Sequence, residues 1–177
     1  MKTSEEIYNI LKEKFGEEVI LNFNTAEPID AIIEVNPSKI NEVSKFLRDS
    51  EELKFDTLML LSGVDDANGT KVKDENEIET IQGGTLSVYY HCHSMEIGHK
   101  VTLRVSTPRE NPQVQSVERI WRAADWHERE AFDMFGIKFL NHHDLRRILM
   151  PDDWGERYPL RKDYVDPEYY NGIKIPY

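Results

Sequence analysis

Between Leu86 and Val105 the apolar side chains fall on alternate residues, Leu86, Val88, Tyr90 and Cys92 in one run and Val101, Leu103 and Val105 in the next. A period of two puts each run on one face of a pleated strand, and a helix cannot reproduce it. The chain therefore has to build a sheet with an apolar face, and something has to cover that face. The Gly98 region is the natural connection between the two runs. Thr57 to Val64 is short and almost continuously apolar, as a buried strand would be. Glu18 to Phe23 and Asp30 to Val35, separated by a segment containing Pro28, are rich in Val and Ile and predict two neighbouring strands.

The cover comes from segments of helical period. Thr3 and Glu6 have capping-box spacing, and Ile7, Ile10, Leu11 and Phe15 recur at helical intervals before Gly16. Asn36 and Pro37 resemble an N-cap and first turn, with Ile40, Val43 and Leu47 as the apolar stripe that follows. Ser116 is placed to cap a long helix reaching Phe135, with Gly136 in the stop position. Residues 65–82 are polar, mostly acidic and marked by Asn68-Gly69, which predicts a surface loop. The order helix, two strands, helix, three strands, helix predicts an α+β fold, a mixed sheet of about five strands with helices packed on it. Beyond Gly136 no period persists, and prolines mix with aromatic and charged residues. We therefore divide the chain into an α/β domain over 1–137 and an extended C-terminal arm over 138–177, which needs another surface to lie on.

Composition removes several classes of function. No apolar run approaches the roughly 20 residues of a membrane-crossing helix. The first residues lack a signal core or an Arg-rich presequence, so a cytoplasmic location is expected. A net charge of −11 with scattered Lys and Arg disfavours nucleic acid. Cys92 is the single cysteine, so the chain's own thiolates cannot form a disulfide or hold an iron–sulfur cluster.

Turning about 100° per residue along the predicted Ser116–Phe135 helix puts Val117, Ile120, Trp121, Ala124, Ala131 and Phe135 in one stripe, with Glu128 in its middle. A carboxylate there must find donors or keep its proton. We expect a satisfied structural acid rather than a catalytic one. The opposite face carries Arg122, Trp126, Arg129, Glu130 and Asp133, with Arg129 one turn from both Asp125 and Asp133. Paired charges around Trp126 suggest a partner hot spot. A metal enzyme is the main rival reading, from His91-Cys92-His93 and His142-His143-Asp144. In a strand, however, Cys92 points away from His91 and His93, and the His127–Glu130 segment lacks the second His of a zincin helix.

The stretch Glu128-Arg129-Glu130, Asp133-Met134-Phe135, His142, Arg146 and Ile148-Leu149 resembles the signature of the 30 kDa subunit, the C-type subunit of respiratory complex I. Ala124-Asp125-Trp126, the run Asp144 to Trp154 that includes Arg147, and Pro159-Leu160-Arg161-Lys162-Asp163-Tyr164 are similar to the family as well. The link Gly155 to Tyr158 is slightly longer than is usual there. The resemblance implies a non-catalytic, cofactor-free subunit in the hydrophilic arm of a proton-translocating NADH:quinone oxidoreductase. It implies packing beside the large quinone-site subunit of the 49 kDa (D) type and near the small cluster-bearing subunit of the B type, with flavin and iron–sulfur clusters on other subunits. Trp126, Glu128, Arg129, Glu130, Asp133, His142, Asp144, Arg146, Arg147, Trp154, Arg161, Lys162, Asp163 and Tyr164 would be the docking positions. It implies a peripheral place on the cytoplasmic face of the membrane. Equivalent subunits of membrane-bound hydrogenases or of complexes fed by other donors are the alternative.

Overall fold

The computed structural model describes residues 1–26, 30–73 and 79–175; Pro28 and Pro176 lie outside them. Helix α1 (Ser4–Phe15) starts at the expected capping box: the Thr3 hydroxyl accepts from the Glu6 amide at 3.2 Å, and the Glu6 carboxylate accepts from the Thr3 amide at 2.7 Å. Ile7 and Leu11 point inward and Gly16, at φ 78°, ends the helix. Strands β1 (Ile20–Asn24) and β2 (Ile32–Val35) precede α2 (Ile40–Asp49), and β3 (Thr57–Asp65), β6 (Thr85–His93) and β7 (Lys100–Pro108) complete a five-stranded sheet ordered β1-β2-β7-β6-β3. The sheet is mixed, because β2 runs parallel to β7 while the other neighbours are antiparallel.

The alternating run of β6 is buried as its period requires. Val88 pairs with Val105, Tyr90 with Leu103 and Cys92 with Val101. These side chains share one core with Ile7, Leu11, Val43, Leu47, Trp121 and Met134. Gly63 of β3 lets the helix α3 (Ala124–Phe135) come close: a Cβ there would sit 2.7 Å from the Phe135 ring and 3.3 Å from the Ala131 methyl.

The structure departs from the sequence reading at four places, each for a local reason. Asn36 is not the cap of α2; its side-chain oxygen accepts from the Ser38 amide at 3.1 Å, and the turn it closes delays the helix to Ile40. The acidic excursion contains a hairpin, β4 (Thr70–Lys73) with β5 (Glu79–Gln82), whose polar residues show no apolar alternation. Residues 116–123 are turns rather than helix, and α3 begins only at Ala124. Finally, Lys138–Leu140 forms β9, which pairs in parallel with β8 (Gln113–Gln115). Hydrogen-bonded structure therefore continues past the boundary set at residue 137. The arm is extended beyond that point, ending in the short pair β10 (Tyr169–Tyr170) and β11 (Ile173–Lys174), but much of it is tied to its own domain.

Candidate functional site

Three buried acids organise the region where α3, the end of β3 and the arm meet. Asp133 is fully enclosed on α3. Its Oδ2 accepts from the amides of Ile148 at 3.1 Å, Leu149 at 2.8 Å and Met150 at 2.8 Å, and its Oδ1 accepts from Arg147 at 2.6 Å. Burial alone would raise its pKa, but these amides and the guanidinium outweigh it and hold the group below the usual carboxylate range. Arg147 also donates to the carbonyl of Gly155. Arg129, one turn from Asp125 and Asp133, turns to the arm. It donates to the carbonyls of Arg146 at 3.3 Å and Arg147 at 3.4 Å and lies 5.3 Å from the Trp126 ring centre. The supposed outer face of the helix is thus half covered: the arm buries Arg129 and Asp133, while Trp126 and Glu130 stay exposed.

Asp65, at the end of β3, is the second anchor. Its Oδ2 accepts from Arg109 at 2.6 Å and from the Lys162 amide at 2.8 Å. Burial opposes its ionisation, and the Arg109 and amide contacts reverse that effect, leaving the pKa lowered. Arg109 pairs also with Asp163, which in turn accepts from the Ile81 amide at 2.9 Å. Arg161 donates to the Phe135 carbonyl at 2.8 Å and stacks 4.4 Å from Tyr158, while burial and the charge of Arg109 lower its pKa. Lys162 contributes its backbone and leaves its side chain in solvent. Tyr164 follows with its amide on the Arg161 carbonyl at 3.1 Å. Trp154 lies 4.7 Å below Arg157 and 5.5 Å from Tyr170.

Glu128 is the third. Ser116 donates its hydroxyl to Oε2 at 2.6 Å and the Val117 amide donates to Oε1 at 2.7 Å, so the residue expected to cap a helix instead holds the buried acid. Among the described residues no Arg or Lys pairs with it. Burial, with Glu118 and Asp125 nearby, pushes its pKa up to about 8 against the two hydrogen bonds. His142 approaches from the arm, with Nε2 at 3.9 Å from Glu128 and 3.3 Å from the Asp125 carbonyl, and its Nδ1 accepts from the Asp144 amide at 3.1 Å. The exposed Asp144 carboxylate pairs with Arg146 at 2.9 Å.

Of the ligand types the rival reading named, those at 91–93 are taken up by the sheet, whereas His142 and His143 do lie together. His91 contacts Thr102 at 3.1 Å, and burial pushes the thiol of Cys92 far above its ordinary pKa. Glu118, His142 and His143 have donor atoms within 4.8 Å of one another. Within this group His143 meets Glu118 at 2.6 Å, and both ring nitrogens of His142 face backbone groups. Sequence reasoning missed Asp65 and Arg109 and gave Ser116 the role of a helix cap. A charged residue closing the apolar run 57–64 was the available signal for Asp65; nothing local marked Arg109.

The chain is thus a mixed-sheet domain whose buried acids grip its own C-terminal segment, with its one thiol locked in the core. The chain belongs to the family of the respiratory-chain NADH dehydrogenase 30 Kd subunit, which it matches over residues 33–170. The C subunit of NADH-quinone oxidoreductase from Chloroherpeton thalassium is 41% identical over 181 residues; the match covers 98% of this chain and 65% of that protein. Its counterpart from Chlorobium phaeobacteroides is 38% identical, with 96% and 93% covered. Among solved structures, a trypsin-resistant fragment of Nqo5 shares the fold at a TM-score of 0.57 and 22% identity, over 78% of this chain and 98% of the fragment. A chain of an archaeal membrane-bound sulfane sulfur reductase does so at 0.60 and 22%, over 91% and 85%.

Proposed function

We propose that this chain is a non-catalytic, cofactor-free assembly subunit of a proton-translocating NADH:quinone oxidoreductase, held in the hydrophilic arm beside the quinone-site and cluster-bearing subunits. No helix among the described residues is long and apolar enough to cross a membrane. A peripheral place on the cytoplasmic side, through those partners, follows from the reading. The observation that carries it is the division of labour in the arm. The amides of Ile148 to Met150 and of Lys162, with the Arg147 side chain, turn inward to Asp133 and Asp65, while Leu149, Leu160, Val165, Tyr169 and Ile173 remain exposed, as does Trp126 of α3. Such a display is unfavourable for a free monomer and suits a surface that a partner covers.

Affinity purification of the tagged chain from its own cells should retrieve a quinone-site subunit and an iron–sulfur subunit; flavin-bearing subunits in the same preparation identify NADH as the donor. Trp126→Ala should leave the purified subunit folded, because that ring is 63% exposed, yet reduce assembled complex on native gels. A central hot spot would cost roughly 2 kcal/mol or more, about 30-fold in affinity. Retrieval of the chain alone from intact membranes would overturn the proposal.

A further inference from the structure

Strand β3 lies at the margin of the sheet, with β6 as its one neighbour among the described residues. Along its other side, alternate residues turn backbone N–H and C=O groups outward. Stable sheets usually blunt such an edge with charges, proline, shortness or cover. β3 has nine residues, and between Leu58 and Val64 it carries neither a charge nor a proline. A bulge at Met59 disturbs its start, but from Leu60 to Asp65 the ladder with β6 is regular. Met59 and Leu60 are 45% and 44% exposed. The opposite margin is different: β1 has five residues, two of them Asn, and its register slips between Ile20 and Asn22.

A groove of about 230 Å³ runs beside the β3 edge, lined by Leu60, Gly63, His127, Glu130, Ala131 and Leu160, among others. It brings together two turns of α3, from His127 to Phe135, the strand edge and one residue of the arm. Glu130 is the charged side chain at its rim and is exposed. Unpaired backbone groups, an apolar slot next to them and a carboxylate at the margin together describe the receptor for an extended segment. A second copy of this chain fits poorly, because β3 brings no cation to meet Glu130 and the chain carries a net charge of −11.

We propose that β3 is a strand-acceptor edge: a strand of a different subunit pairs with Leu60–Asp65, seats an apolar side chain in the groove and sets a Lys or Arg against Glu130. The inference rests on the assembly role proposed above and adds the mode of contact. It is tested by hydrogen exchange on the purified subunit and on the intact complex, together with Leu60→Lys and Glu130→Lys. Both positions are exposed, so both variants should melt close to wild type. Amides within Leu60–Asp65 should exchange at least about tenfold more slowly in the complex than in the free subunit. Each variant should enter the complex several-fold less well than wild type. If the wild-type chain retrieves its partners but these amides stay unprotected, or Leu60→Lys assembles normally, the strand-acceptor inference fails while the assembly role stands. A concentration-dependent dimer of the free subunit that protects β3 would also overturn it. Failure of the wild-type chain to retrieve any partner defeats the assembly role itself.

Discussion

Glu128 and Asp133 sit on one helix, both fully buried, and their pKa values move in opposite directions. The difference is the number and kind of donors. Asp133 has three amides and a guanidinium, whereas Glu128 has one hydroxyl and one amide and faces two other acids. Because the Glu128 pKa is raised in the fold, its contribution to stability is complete below the ordinary carboxylate value and is lost as pH rises through about 8. Asp133 has the reverse sign: its contribution is present above the ordinary value and disappears as pH falls through the lowered one. Glu128→Gln keeps the shape and an oxygen for the Val117 amide but cannot ionise. Its urea-unfolding free energy should therefore change less than that of wild type between about pH 6 and about pH 9. Equal slopes in the two proteins would show that Glu128 does not titrate in this range.

At the level of elements, Gly136 joins the end of α3 to the course of the arm. It adopts φ 76° and ψ 19°, and a Cβ there would lie 2.5 Å from the Tyr158 ring. Gly136→Ala should therefore lose about 1–2 kcal/mol to the left-handed conformation, with a further loss from the displaced ring. A lower urea midpoint, with faster exchange of the Leu160 amide that bonds the Met134 carbonyl, is the expected readout; an unchanged amide would mean that Tyr158 yields freely. The same stretch shows what the sequence could reveal. Strands β6 and β7 and helix α1 were legible because one physical requirement, burial of one face, spaces their residues. Val117, Ile120 and Trp121 obeyed helical spacing too, yet Val117 and Trp121 are buried from a chain that turns rather than coils. The buried place of Glu128 was readable from that stripe. The partners of Asp133 were not, because its donors are mostly backbone amides of residues 148–150, and amides leave no mark in a sequence.

Across the whole molecule the arm has two parts with different attachments. Residues up to Tyr164 are fixed through Asp133, Asp65 and Arg109, whereas the described residues beyond it contact chiefly the arm itself, as Tyr170 does with Asp153 at 2.5 Å. Deleting residues 165–177 should change the stability of the isolated protein by no more than about 1 kcal/mol. Deleting residues 154–177 strips the Lys162 amide from Asp65 and Asp163 from Arg109, and should cost up to about 3–5 kcal/mol. Thermal melts of the two truncations decide the matter; equal melting points would show that the inner anchors add little.

The parallel pairing of β2 with β7 has a consequence for how the chain is made. Ile33 pairs with Leu103, seventy residues later, so the β1–β2 hairpin leaves the ribosome long before the strand that completes it. At roughly 5–20 residues per second, that hairpin waits about 4–14 seconds with the inner side of β2 unpaired. For that interval Ile32 and Ile33 lack the strand that covers them, so slower synthesis between β2 and β7 lengthens the exposure of an unpaired strand edge.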